Sequence, residues 1–159
     1  MKILLTIHEK LDPNSGSAGS TFKLGQEYKK LGHEVFYYSF DDLPNALPPK
    51  LKEFLFPEFV ANKINQLITQ NVLNIVDAST GDIWFWTKVF RNSYSRGPVV
   101  ITRSHGLEQM KHIQDQEDAA RGDLNLSWKY PLYRGSLKLW EVEQSISHAD
   151  SVFLLNKQE

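Results

Sequence analysis

The sequence predicts an α/β domain built on a parallel β-sheet, and three observations carry that prediction. Five short apolar runs alternate with helix-length segments along the chain. The runs are near-continuous, as in Ile3-Leu4-Leu5 and Val35-Phe36-Tyr37-Tyr38, the pattern of strands covered on both faces. The stretch from Met1 to Phe40 reads as a complete strand, loop, helix and strand, with a Gly/Ser loop between the first strand and its helix.

Within that unit the first strand is expected over Lys2 to Ile7, the loop over Pro13 to Ser20 and the helix over Thr21 to Leu31. Leu24, Tyr28 and Leu31 recur at helical spacing and predict the face packed on the sheet. Gly32 suits the left-handed position that ends a helix, because it has no Cβ to clash. The second strand follows over Val35 to Phe40.

Asp41 to Pro49 carries three prolines and reads as a loop. Leu51 to Phe56 is expected as a helical turn. Pro57 suits the first turn of a second helix with Val60, Ile64, Leu67 and Ile68 on one face and Asn71 as its end. Leu73 to Ala78 is the third strand. Asp82 is placed to cap a helix from Ile83 to about Tyr94, rich in aromatic residues and read as core. After Gly97-Pro98 come the fourth strand (Val99 to Thr102), the turn Arg103 to Glu108 and a helix to about Ala120. A last helix opens near Ser127 with Leu139, Val142 and Ile146 as its stripe, and Ser151 to Leu155 is the fifth strand.

Bulk properties narrow the function. The 159 residues suffice for one domain with a core. Lys and Arg number 18 against 19 Asp and Glu, so nothing implies a polyanionic partner such as nucleic acid. With no Cys there is no disulfide framework, thiolate metal site or thiol nucleophile. Charged residues interrupt every apolar segment well short of membrane-spanning length.

Alternating strands and helices imply right-handed crossovers, and the expected strand order is 3-2-1-4-5. The order then reverses between strands one and four, where ligands of such folds bind outside the carboxyl ends of the strands. That juxtaposes the Gly/Ser loop with Arg103 to Glu108. The substrate-binding candidates are therefore Ser15, Gly16, Ser17, Gly19, Arg103, Gly106 and Glu108, and the catalytic candidate is His105. Glycines let a ligand approach the backbone, and amides at a helix N-terminus attract anions.

Other chemistries lack their residues. The loop matches neither G-x-x-x-x-G-K-[ST] nor G-x-G-x-x-G. No second His or acid stands at metal-ligand spacing from His105, so no metal is expected. Ser104 and His105 are adjacent in an extended chain and point apart, so they are no nucleophile–base pair. Glu141 and Glu143 are two apart and cannot share a helix face. Lys129, Arg134 and Lys138 near Trp128 and Tyr130 read as a solvated face before a phosphate or membrane contact.

With these residues placed, the chain resembles the N-terminal domain of GT-B fold glycosyltransferases of the retaining "glycosyl transferase group 1" family. The resemblance rests on Met1 to Leu5, the Gly loop, Gly32-His33-Glu34-Val35, Asn74 to Asp77, Pro98 to Thr102 with His105-Gly106, and Ala149 to Val152, in the family's order. Where the family has adjacent glycines, this loop has Ser15-Gly16, with Gly19 next.

The resemblance implies a Rossmann-like, acceptor-side domain of an enzyme that moves a sugar from a nucleotide-sugar to a glycan, lipid or small-molecule acceptor. Gly16 and its neighbours would offer amides to acceptor or donor phosphate, and His105 and Gly106 would contact sugar or acceptor. The family needs no metal or other cofactor beyond the nucleotide-sugar co-substrate. It works in the cytoplasm, often at the inner face of a membrane. Its donor site lies on a C-terminal domain carrying a spaced glutamate pair that has no counterpart here, so residues 1–159 are expected to be the N-terminal half, inactive alone. Two rivals remain: a stand-alone nucleotide-binding domain, for which Asp41 or Asp42 supplies the acid but the glycines are wrong, and an interaction module of flavodoxin-like shape.

Overall fold

In the computed structural model, which describes every residue except 71, 72, 107, 129, 133, 134 and 155–159, the first apolar run forms β1 (Lys2–Thr6), followed by α1 (Ser17–Lys30) and β2 (Glu34–Tyr38). Then come α2 (Pro49–Thr69), β3 (Ile75–Ser79), α3 (Trp84–Val89), β4 (Val99–Arg103), α4 (Glu108–Arg121), α5 (Leu137–Ser147) and β5 (Ser151–Phe153). The class is α/β, with five strands in one all-parallel sheet flanked by helices.

The strand order is β2-β1-β3-β4-β5, which corrects the expected 3-2-1-4-5. The difference lies in where the third strand docks. Asn74 joins it to β1, its side chain accepting from the Lys2 amide at 2.7 Å and its amide donating to Lys2 O at 2.9 Å. Burial gives the reason. The last four residues of β3 are buried, whereas no residue of β2 is. The aromatic, hydroxyl-bearing β2 tolerates an edge and β3 does not. The order therefore reverses between β1 and β3.

α1 packs on β1 and β2, while α2, α3 and α5 pack in a row. The main core lies on the α2 side, where Leu4, Val76, Ala78 and Val100 meet Phe56, Val60, Ile64, Ile83 and Trp86. Trp86 donates its indole N–H to Asn65 Oδ1 at 2.8 Å, so the buried ring keeps a polar partner.

Several helix expectations are corrected. α1 begins at Ser17 rather than Thr21, and its buried residues are Ala18, Gly19, Thr21 and Gly25, while Leu31 is exposed. A Cβ on Gly25 would stand 2.2 Å from Tyr37 Oη, so small residues let the Tyr37 ring lie under the helix. Gly32 does end α1, at φ +82°. α2 is one helix running through Pro57, with Pro49 in its first turn. Pro57 has no N–H to donate, yet burial of Phe56, Val60, Ala61, Ile64 and Leu67 keeps the helix whole. The expected cap Asn71 lies outside the described residues, as do Lys129, Arg134, Leu155 and Asn156 to Glu159.

α5 departs furthest from its expected stripe. Of Leu139, Val142 and Ile146 only Val142 is buried; with it are buried Lys138, Glu141 and Ser145. The last helix also starts at Leu137, not near Ser127. Arg91 anchors the entry to β5, its guanidinium contacting both Asp150 oxygens at 2.6 and 2.7 Å and His148 O at 2.6 Å. Asp150 Oδ2 in turn accepts from the Val100 amide at 2.8 Å.

Candidate functional site

The polar side chains gather at the carboxyl ends of β1, β3 and β4. Arg103, the last residue of β4, is nearly buried and reaches back over the sheet. Its Nε donates to Asp77 Oδ1 at 2.7 Å and its Nη1 to Thr21 Oγ1 of α1 at 3.1 Å. Tyr28 of α1 donates its hydroxyl to the other Asp77 oxygen at 3.2 Å. Burial, reinforced by the Asp77 charge, pushes the Tyr28 phenol above its ordinary pKa. A charge pair buried at 1 % and 11 % exposure of its side chains needs such extra partners to offset desolvation. Expected adjacency of the loops after strands one and four fails in strand order, because β3 lies between. Arg103 nonetheless ties β4 to α1 across it.

His105 follows β4 by one residue. Arg103 Nη1 lies 2.8 Å from His105 Nε2, and a guanidinium only donates. Nε2 is therefore an acceptor, the imidazole is neutral and its proton is on Nδ1. Electrostatics agree: burial first, then the Arg103 guanidinium, hold the imidazole down at about 4, with His8 pushing the same way and Asp82 and Glu9 opposing. Ser104 is buried, and its Oγ accepts from the Gly106 amide at 3.1 Å. Gly106 has φ +111° and open space where a Cβ would stand. Glu108 opens α4; its side chain lies outside the described residues.

The Gly/Ser loop is shorter than expected. Gly16 is the N-cap of α1, at φ −63° with nothing within 4 Å of a Cβ. Ser17 donates its hydroxyl to Glu9 Oε1, which ties the start of α1 to the end of β1. Ser15 Oγ is buried without a protein partner. Gly19 is not a loop residue: it sits in the first turn of α1, where a Cβ would stand 2.7 Å from Pro13 O. That close approach of the helix to Pro13 is what its missing Cβ permits.

The sequence reading missed His8 and Asp82. Asp82, expected as a helix cap, does not cap α3. Its buried carboxylate accepts from Thr6 Oγ1 at 2.7 Å and pairs with His8 Nδ1 at 2.7 Å. His8 keeps 27 % of its side chain exposed against 1 % for Asp82. The legible signal was position: His8 stands just beyond one strand's carboxyl end and Asp82 just beyond another's, at the reversal of strand order.

Behind Asp82 the inward face of α5 continues the polar tract. Lys138 Nζ lies 3.7 Å from Glu141 Oε2, and a Cβ on Gly81 would meet that ammonium at 3.0 Å. Burial pushes the Glu141 carboxyl up to about 7; Lys138 opposes, while Glu58 and Asp82 add to the rise. Glu58, on α2, is likewise raised by burial. Among the described residues no three His, Cys, Asp or Glu side chains converge as metal ligands, and no helix is long and apolar enough to cross a membrane.

Comparison with protein-family models, with curated proteins and with solved structures finds no match to this chain.

Proposed function

We propose that this chain is the acceptor-side domain of a retaining glycosyltransferase, holding a sugar, glycan or lipid acceptor while a second domain holds the nucleotide-sugar. One observation carries the reading. His105, beyond the carboxyl end of β4, is a half-buried neutral imidazole whose tautomer Arg103 fixes. A neutral donor of defined direction suits a sugar hydroxyl, and the same Arg103 joins it to the helix whose N-terminus follows β1. His105 is also one of the residues that carry the family resemblance. The polar cluster at this edge weighs against a purely structural interaction module, for which buried charge there would be a cost without a use.

In this role the chain orients the acceptor, and its own groups supply hydrogen bonds near the transferred sugar. Stabilisation of the departing diphosphate belongs to the second domain, so the chain alone binds but does not turn over. The test is calorimetry of the purified chain with a panel of nucleotide-sugars, simple sugars and NAD, beside an assay for released nucleoside diphosphate. Sugar binding that is lost in His105→Ala, with no diphosphate release from any nucleotide-sugar, is the expected result. Binding of NAD alone, or binding indifferent to His105, overturns the reading.

A further inference from the structure

We propose that His8, oriented by Asp82, is a second ligand-binding residue whose Nε2 accepts a hydrogen bond from a ligand hydroxyl, so that this part of the site takes a neutral polyol and not a phosphodiester. The proposal rests on the glycosyl-transfer reading only for the wider identity of the ligand.

Asp82 sets the geometry. Its carboxylate is 1 % exposed, and one oxygen is occupied by the Thr6 hydroxyl at 2.7 Å. An ionised carboxylate accepts only, so the 2.7 Å contact to His8 is an Nδ1–H donating to Oδ1. That fixes the ring. In neutral His8 the proton is on Nδ1, and Nε2 carries a lone pair. Such an Asp–His arrangement orients an imidazole and stabilises one tautomer. The Asp is sealed while the ring keeps 27 % exposure, so a ligand can reach His8 without disturbing its anchor.

The neighbouring imidazole is locked in a complementary sense. His105 spends its Nε2 lone pair on Arg103 and retains an Nδ1–H. The two rings are near enough for His8 to bias His105 electrostatically. One ring offers an acceptor and the other a donor. A hydroxyl both donates and accepts, so a polyol can satisfy both rings. A phosphodiester anion carries no P–OH and only accepts, and the Nε2 lone pair backed by the Asp82 charge repels it.

The test uses the wild-type chain with ¹⁵N-labelled histidine. Long-range ¹H–¹⁵N spectra, recorded where His8 is neutral, report which ring nitrogen is protonated. Nδ1 protonated and Nε2 bare is the expected state of His8, and the Nε2–H tautomer overturns the proposal. The chain is then titrated to the solubility limit with D-glucose, D-mannose, D-galactose and myo-inositol, and separately with dimethyl phosphate, a phosphate without a P–OH donor. At least one polyol should shift the His8 Nε2 signal while dimethyl phosphate leaves it in place. Silence from all four polyols, or a larger response to dimethyl phosphate, overturns the hydroxyl assignment. Asp82→Asn, nearly isosteric, should mix the His8 tautomers and weaken the polyol response severalfold; a locked tautomer in that variant also counts against the proposal. A polyol response at His8 that persists unchanged in His105→Ala would sink the glycosyl-transfer reading and leave this site standing.

Discussion

Arg103 donates to His105 across 2.8 Å, and that contact adds to burial, the larger cause, in holding His105 neutral. The fold holds the imidazole at about 4 against an ordinary 6.5. Between those values the unfolded chain binds a proton that the folded chain refuses, so this residue's contribution to stability is lost as pH falls through that window. NMR titration of the wild-type ring should show it neutral down to about pH 4. In Arg103→Gln the midpoint should move up toward the ordinary value, because the guanidinium's repulsion is gone. A midpoint near 6.5 in the wild type would mean that the ring is solvated and not held by Arg103.

Glu141 titrates with the opposite sign. Its carboxyl is raised from 4.5 to about 7, so the folded chain keeps a proton that the unfolded chain releases. Its contribution is present below pH 4.5 and lost as pH rises toward 7, at about 1.4 kcal/mol per pH unit across that interval. Urea melts at several pH values should therefore lose slope in Glu141→Gln relative to wild type over the same range. The two variants separate effects that partly cancel in the native chain, because His105 and Glu141 act in overlapping windows. An unchanged pH dependence in Glu141→Gln would show the carboxyl ionised in the fold.

The strands were legible because apolar runs survive as local signals: all five lie within a residue or two of their expected positions. Their order was not. The runs Val35 to Tyr38 and Asn74 to Ala78 look alike in one dimension, and what separates them is which one tolerates an edge. Helix faces were legible only where apolar residues mark them. α5 buries Lys138, Glu141 and Ser145, and hydrophobic spacing cannot find a buried polar face. Arg103 and His105 were singled out because they stand at and just past the end of a strand. The His8–Asp82 contact spans 74 positions, and nothing local announces it; Asp82 before an aromatic helix reads as a cap.

The two glycines at the start of α1 should behave differently. A Cβ on Gly16 meets open space at an ordinary helical φ, whereas one on Gly19 would press to 2.7 Å on a backbone oxygen. Gly16→Ala should be neutral or more stable by about 0.4–1 kcal/mol, through loss of unfolded-state entropy. Gly19→Ala should cost about 1–3 kcal/mol, as overpacking does. Chemical denaturation reads both. If Gly16 lies against ligand, Gly16→Val weakens ligand binding while leaving the fold intact; unaltered binding in that variant removes the residue from the site.

Asp77 is where stability and site geometry meet. Its carboxylate lies in the middle strand, with Leu5 and Ile101 as its register neighbours on either side. It accepts from Arg103 at 2.7 Å and from Tyr28 at 3.2 Å. Arg103 Nη2 is already buried without a partner, so Asp77→Ala would strand a nearly buried cation with only Thr21 and His105 to receive its hydrogens. Breaking one side of such a pair costs about 3–5 kcal/mol. Tyr28→Phe removes a single hydrogen bond and should cost about 1 kcal/mol. Replacing both charges, as in Asp77→Leu with Arg103→Met, should cost less than Asp77→Ala alone, because no uncompensated charge remains. That double variant also frees His105 Nε2, so its imidazole should titrate closer to 6.5 although the sheet beneath it is intact. Denaturation of the three variants, with a His105 titration of the double one, checks each link from Asp77 through Arg103 to His105. A cost under about 1 kcal/mol for Asp77→Ala would place the pair among solvent-screened ion pairs, and Arg103 would then lose its place as the group that orients His105.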